Sequence, residues 1–275
     1  MGTGDAAFTG SIPEVYERLM VPMIFAEPAA LLAATVAAAR PVDVLEVAAG
    51  TGVLTRLLER VEGVRLVATD LNEPMLRAAR ERSPAGAVRW QVADATDLPY
   101  DDGGFDAVVC QFGVMFFPDR VQGYAEARRV LRPGGLLAFN TWDRIERNAV
   151  AETVTDALVA AVPRADLGFM RRTPHGYFEP AEVAADVAAA GFGDVVVEEV
   201  DGTSRSTPAD AAVAFCQGTP LRGEIERCPG LDVERATAIA AAGLARRFGD
   251  GPFAVPMRWL QVTARHSLDS CHKNP

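Results

Sequence analysis

From Val42 to Trp142, short β-branched runs alternate with stretches whose apolar residues recur every three to four positions. VDVLEV, VRLVATD, AVRWQVAD, FDAVVCQF and GGLLAFNTW are each bounded by Gly, Pro or Asp, the punctuation of strands. Between the first two, GVLTRLLERVEG sets Val53, Leu54, Leu57, Leu58 and Val61 at helical spacing. EPMLRAARERS carries Pro74 early in a helix, where a missing N–H is harmless, and DRVQGYAEARRVLRPGG stops at Pro133 and two glycines. Strands alternating with helices predict parallel pairing and a doubly wound, Rossmann-like α/β fold.

Upstream, PEVYERLMVPMIF and PAALLAATVAAAR read as two amphipathic helices separated at Pro28, a helical cap over residues 1–40. Such a cap serves as a lid or covers a sheet edge. Downstream, NAVAETVTDALVAAV, EPAEVAADVAAAGF, TPADAAVAFCQG and DVERATAIAAAGLARRFG read as helices, while DVVVEEV and PMRWLQVTAR add two strands. The expectation is one domain over residues 1–275 with a mostly parallel seven-stranded sheet. Residues 42–142 form its ligand-binding core, and residues 143–265 supply substrate-side helices and the final strands.

A formal net charge of −10 opposes a surface built to gather phosphate backbones, so no nucleic-acid partner is expected. The arginine pairs Arg128–Arg129, Arg171–Arg172 and Arg246–Arg247 read as solvated faces. Cys110, Cys216, Cys228 and Cys271 show no C-x-x-C spacing, and His175, His266 and His272 no H-E-x-x-H pattern, so no metal is expected. There is no uninterrupted apolar run of membrane-spanning length and no secretory signal pattern, which predicts a cytoplasmic protein without a membrane partner.

Ligands of open α/β sheets bind beyond the carboxyl ends of the strands, and four features converge on that edge. Ala48–Ala49–Gly50–Thr51–Gly52 is a small-residue turn after the first strand, whose glycines allow close backbone approach. Asp70 ends the second strand, where a carboxylate can accept both hydroxyls of a ribose diol; it also suits a helix N-cap ahead of EPML. Asp94 and Ala95 follow the third strand, and the aromatic, Met-rich run CQFGVMFFPD leaves the fourth. A nicotinamide dinucleotide would use the first two features. Its third fingerprint glycine is replaced here by Thr55, and Asp94 suits an adenine amino group that the dinucleotide fingerprint does not require.

VLEVAAGTG, VATDLNEPML, QVADATDLPYDDGGFDAVVCQFGVMFFPD and VLRPGGLLAF together resemble the class I S-adenosylmethionine-dependent methyltransferases of the ubiquinone/menaquinone-biosynthesis type. The resemblance covers residues 42–142, with weaker support from PHGYFEPAEVAADVAAAGF. It implies S-adenosyl-L-methionine as cofactor and methyl transfer to O, N or C of a small apolar or aromatic acceptor. Glu46 would lie near the methionine amino group, with Gly50 and Gly52 flanking the methionine moiety. Asp70 would hold the ribose, Leu71 would abut the adenine, Asp94 would meet its amino group, and Ala95 would offer a backbone N–H. Met75 belongs to the same set, and Gln111 begins the active-site edge of the fourth strand. Ala48 stands where glycine is commonest, which is harmless at negative φ, and negative φ is the expectation.

Phe112, Met115, Phe117 and Tyr177 are the candidate acceptor-binding residues, within an aromatic cluster that also holds Phe116. His175 is the foremost candidate base, followed by Tyr177 and Tyr16, needed only where the acceptor keeps a proton; His175 also suits a loop residue that orders the following helix. FCQGTPL around Gln217 is a helix corner that can line the acceptor side. The alternatives are an NAD(P)-dependent oxidoreductase and a non-catalytic S-adenosylmethionine-binding module. A homodimer is left open.

Overall fold

A computed structural model of the chain describes residues 5–6, 8, 10, 12–83, 86–163 and 165–267. Five strands arise where the alternation places them: β1 (Asp43–Glu46), β2 (Arg65–Asp70), β3 (Arg89–Val92), β4 (Phe105–Gln111) and β5 (Leu131–Trp142). Two more, β6 (Phe192–Ser206) and β7 (Phe253–His266), complete a seven-stranded sheet of order β3-β2-β1-β4-β5-β7-β6. The first five strands are mutually parallel, and β7 runs antiparallel between β5 and β6. Strand order reverses between β1 and β4, which opens a crevice beyond their carboxyl ends.

Both faces of the central strands are buried, because successive side chains point to opposite sides. Val44, Ala107, Val109 and Ala138 join one apolar cluster with Leu32, Val36, Leu54 and Leu58. Leu45, Val108, Cys110 and Phe139 join the other, with Met23, Tyr124, Val154 and Phe215. This explains why these strands read as continuous apolar runs rather than alternating ones.

Two local expectations are corrected. Pro28 does not divide the N-terminal segment: one helix runs Ile12–Ala38, with π winding over Tyr16–Phe25 and α winding from Ala26. The Ala26 N–H still bonds the Val21 carbonyl, so the change of winding falls just before Pro28. Pro22 lies inside the π segment, whose wider turn relieves the ring clash a proline meets in an α-helix. This helix is long and apolar enough by composition to cross a membrane, but 56% of its most apolar window is buried inside the protein. GVLTRLLERVEG yields a regular helix only over Thr55–Leu58, because the Leu57 N–H bonds Leu54 three residues back and tightens the turn.

Candidate active site

The turn after β1 must pass from one neighbouring strand to the other. The Val47 N–H bonds Val109 of β4, and the Ala49 N–H bonds Thr69 of β2. Between them Ala48 takes φ +53°, so the expected negative φ is wrong. The left-handed residue is what turns the chain's hydrogen bonding from β4 to β2 within two residues, at about 1–2 kcal/mol of backbone strain for an alanine. Across the crevice Phe112 is also left-handed, at φ +50°, its N–H held by the carbonyl and side-chain oxygens of Asn140. A Cβ on Gly113 would stand 2.5 Å from the Ala48 methyl, so these two turns fit only with glycine at 113. Strained residues of this kind gather at functional sites.

Gly50 (φ +57°) donates its N–H to Asp70 Oδ2 at 2.8 Å, and Asn72 N–H donates to Oδ1 at 2.7 Å. Burial raises the Asp70 pKa against these bonds, and the carboxylate keeps lone pairs to offer. Glu46 is 1% exposed; Thr55 Oγ1 donates to its Oε2 at 2.6 Å, while Oε1 has no partner. Burial pushes Glu46 up to about 8, and the Thr55 bond and the Arg56 charge only partly offset this. Asp94 is exposed, its Oδ1 accepting from the Thr96 N–H and hydroxyl.

These turns enclose a cavity of about 310 Å³. It brings together Ala48, Gly50, Asp70, Leu71, Met75, Asp94, Ala95, Gln111, Phe112, Phe117 and Tyr16 from among the sequence candidates. Two candidates stand behind it. Gly52 (φ +79°) packs helix against strand, a Cβ there lying 3.2 Å from Ala79 and Trp90, and Glu46 sits beneath the turn. Gln111 also donates Nε2 to the Phe25 carbonyl at 2.8 Å, tying the cap helix to β4.

A second, smaller cavity of about 70 Å³ adjoins it and shares Phe8, Tyr16, Phe112 and Phe116 as walls. Phe112 stacks on Trp142 with ring centroids 3.9 Å apart, and Tyr16 stacks on Phe25 at 4.9 Å. His175 lines this cavity, 4% exposed, with Nδ1 2.8 Å from the Asp143 carbonyl. That carbonyl requires Nδ1 to carry the proton, which leaves the lone pair on Nε2. Burial lowers the His175 pKa to about 4, so the ring is neutral at neutral pH. Burial and the charges of Glu17 and Asp70 raise the Tyr16 phenol above its ordinary value, so its hydroxyl keeps its proton at neutral pH.

Two acceptor-side candidates lie elsewhere. Met115 is 1% exposed in the core under the turn after β4, while its neighbour Phe116 reaches both cavities. Tyr177 is fully buried: its hydroxyl donates to Asp186 at 2.9 Å and Arg120 lies over its ring. The Gln217 amide turns to Thr237, while Thr219 and Pro220 of the same corner line the smaller cavity. Sequence reasoning missed Trp142, whose position at the carboxyl end of β5 was the available signal. It also missed Asn72, Phe169 and the segment with Asp5 and Phe8, for which no local pattern exists.

The profile of a family described as a methyltransferase domain matches residues 45–139. A malonyl-acyl-carrier-protein O-methyltransferase of Geobacter sulfurreducens is 34% identical over 264 residues, 93% of this chain and 91% of that protein. The chain belongs to the class I S-adenosylmethionine-dependent methyltransferases. A second methyltransferase relative, demethylmenaquinone methyltransferase of Deinococcus radiodurans, is 45% identical over 110 residues; the match covers 39% of this chain and only 46% of that protein. Phosphoethanolamine N-methyltransferase 2 of Haemonchus contortus, solved with S-adenosyl-L-methionine, shares the fold at TM-score 0.57 and 15% identity. The alignment covers 94% of this chain and 56% of that one.

The residues present in this methyltransferase suit S-adenosylmethionine. The larger cavity falls in the range of about 300–1,000 Å³ usual for small-molecule sites. Its glycine-bearing turn, an Asp70 carboxylate already oriented by two backbone N–H groups, and Asp94 on the rim supply the polar contacts. Glu46 Oε1, without a partner among the described residues, is a free polar group beneath the turn. Aromatic faces at Tyr16, Phe112 and Phe116 suit a cationic sulfur. Among the described residues no cluster of His, Cys, Asp and Glu could hold a metal.

Proposed function

We propose that this methyltransferase uses S-adenosylmethionine in the larger cavity to methylate O, N or C of a small, uncharged apolar or aromatic acceptor in the smaller one. The observation that carries this reading is the shared wall of four aromatic residues between a polar-rimmed cavity and an apolar one. In this reading Asp70 holds the ribose, Leu71 and Met75 bound the adenosine, and Asp94 with Ala95 receives the adenine edge. Bound S-adenosylmethionine supplies an activated methyl group on a good leaving group. What remains for the chain is alignment and exclusion of water, which the aromatic walls provide. His175 offers its Nε2 lone pair as a hydrogen-bond acceptor that orients a hydroxyl or N–H of the acceptor; Tyr16 serves as a wall.

The two kinds of relative differ in what their names say they modify, a quinone ring precursor and a malonyl thioester. Among the described residues no Arg or Lys lines the smaller cavity, and an unpaired buried carboxylate is costly, so the ring fits this chain better than the acid. The acceptor is a cytoplasmic metabolite, with neither nucleic acid nor membrane as partner. The test is turnover of matched phenols, quinols, amines and carboxylates, read by mass spectrometry. Methylation of neutral aromatic acceptors is expected. Methylation of carboxylates alone would overturn the neutral-acceptor reading, and tight S-adenosylhomocysteine binding without any turnover would favour a binding module.

A further inference from the structure

Asp5, Ala6 and Phe8 all line the larger cavity. Asp5 and Phe8 are each anchored to a different element. The Asp5 carboxylate, 6% exposed, receives Arg172 Nε at 3.0 Å, Arg172 Nη2 at 2.8 Å and Thr173 Oγ1 at 2.8 Å. The Phe8 N–H donates to Asn72 Oδ1 at 3.3 Å, and the Asn72 N–H in turn bonds Asp70. The Phe8 ring meets Tyr16 edge-on (centroids 6.1 Å) and Phe116 (5.7 Å), and it walls both cavities.

Arg172 is fixed independently of Asp5. Its Nη2 also bonds Glu224 Oε1 at 2.7 Å, and Glu224 Oε2 accepts the Phe169 N–H at 3.0 Å. The receptor for Asp5 is thus braced from the acceptor-side helices. A buried carboxylate is tolerated only with its partners in place, so loss of the Arg172 and Thr173 bonds would favour release of Asp5 into water.

We infer that Arg172 and Thr173 are positioning residues that, by clasping Asp5, hold it against the site, seat Phe8 as the wall common to both cavities, and set how long the cofactor stays bound. The last consequence rests on reading the larger cavity as the cofactor site; the clasp itself does not. Arg172 and Thr173 touch neither ligand and act through Asp5 and Phe8.

The experiment compares wild type with Asp5→Ala and Thr173→Val. Asp5→Ala leaves Arg172 paired with Glu224, so no buried charge is orphaned. Rapid-mixing kinetics of S-adenosylhomocysteine should show dissociation accelerated roughly tenfold in Asp5→Ala, the loss of about 1.4 kcal/mol of docking energy. Association should quicken as well, by less, and Thr173→Val should show a smaller change in the same direction. General loosening of the fold would not speed association. Hydrogen exchange at the Phe8 amide, measured without ligand, should accelerate in Asp5→Ala whatever the cavity binds. Faster exchange with no S-adenosylhomocysteine binding to wild type would overturn the cofactor reading and keep the clasp. Unchanged exchange, or unchanged dissociation in a protein that does bind, would overturn the positioning role.

Discussion

The larger cavity takes most of its walls from the turns after β1, β2, β3 and β4, between Ala48 and Pro118. The smaller one draws on Phe8, the cap helix, Trp142, the helix at Val150, the loop at His175, Ser204 and the corner at Pro220. The first presents backbone groups and carboxylates placed by the sheet itself. The second presents apolar side chains carried by separately packed helices. On the proposed reading, cofactor recognition is welded to the fold, whereas the walls of the acceptor cavity other than Phe112 and Phe116 can change one side chain at a time without disturbing β1 to β4. The buried ionisable groups differ in kind too. Glu46, beneath the first cavity, is raised to about 8, and His175, in the second, is lowered to about 4. Each is held neutral, but their stability effects run oppositely with pH.

The most damaging test of this division is Asp70→Ala. It should weaken S-adenosylhomocysteine binding by about 1.5–3 kcal/mol, the scale of charge-assisted hydrogen bonds, by calorimetry, and leave the acceptor side untouched. Unchanged affinity in a folded variant would break the ribose assignment.

A middle-sized effect separates the two buried groups. Between the ordinary Glu value of 4.5 and about 8, folded Glu46 keeps a proton that the unfolded chain releases, so its stability contribution declines as pH rises through that window. Between the ordinary His value of 6.5 and about 4, the unfolded chain takes up a proton that folded His175 refuses, so stability declines as pH falls. His175 is faced by Glu146 and Arg171, whose charges act in opposite senses, and it bonds Asp143 only through the backbone carbonyl. Glu46→Gln should flatten the alkaline limb of urea stability and His175→Asn the acid limb. Flattening of the wrong limb by either would undo the contrast.

The smallest effect concerns Ala48. Glycine there relieves about 1–2 kcal/mol of left-handed strain but costs about 0.5–1 kcal/mol in added unfolded-state freedom. Ala48→Gly should stabilise the protein by about 0.5 kcal/mol in denaturant titration, with acceptor affinity unchanged. A loss of stability would show that the methyl contributes packing worth more than the strain.

The same division governs what the chain reveals about itself. Gly50, Asp70 and Asp94 stand at strand ends fixed by local periodicity, so their placement around one cavity is readable from spacing. Met115 and Phe116 show the limit: a short 3-10 turn over Val114–Phe116 decides which faces the ligand, and no run of three residues discloses its phase. Tyr177 looked like a pocket residue beside His175, yet Asp186 and Arg120, on other elements, draw it into the core. Arg129 and Arg172 read as solvated charges, but Arg129 joins Asp102 to Glu126 of its own helix, and Arg172 gathers Asp5 and Glu224 from distant segments. The sign of φ at Ala48 depends on which neighbours β1 pairs with, a property of the sheet rather than of the turn. Pro28 misled because the cap helix changes its winding just ahead of it.

The position of β7 carries a consequence for how the chain is made. It follows β6 in sequence yet lies between β5 and β6, so the fifteen-residue β6 has no partner in the sheet until Phe253–His266 arrives. During synthesis β1 to β5 can assemble early, while β6 waits as an open edge, with Val196 exposed even in the finished fold. The nascent chain is therefore most prone to aggregate in the interval between the emergence of β6 and the arrival of β7.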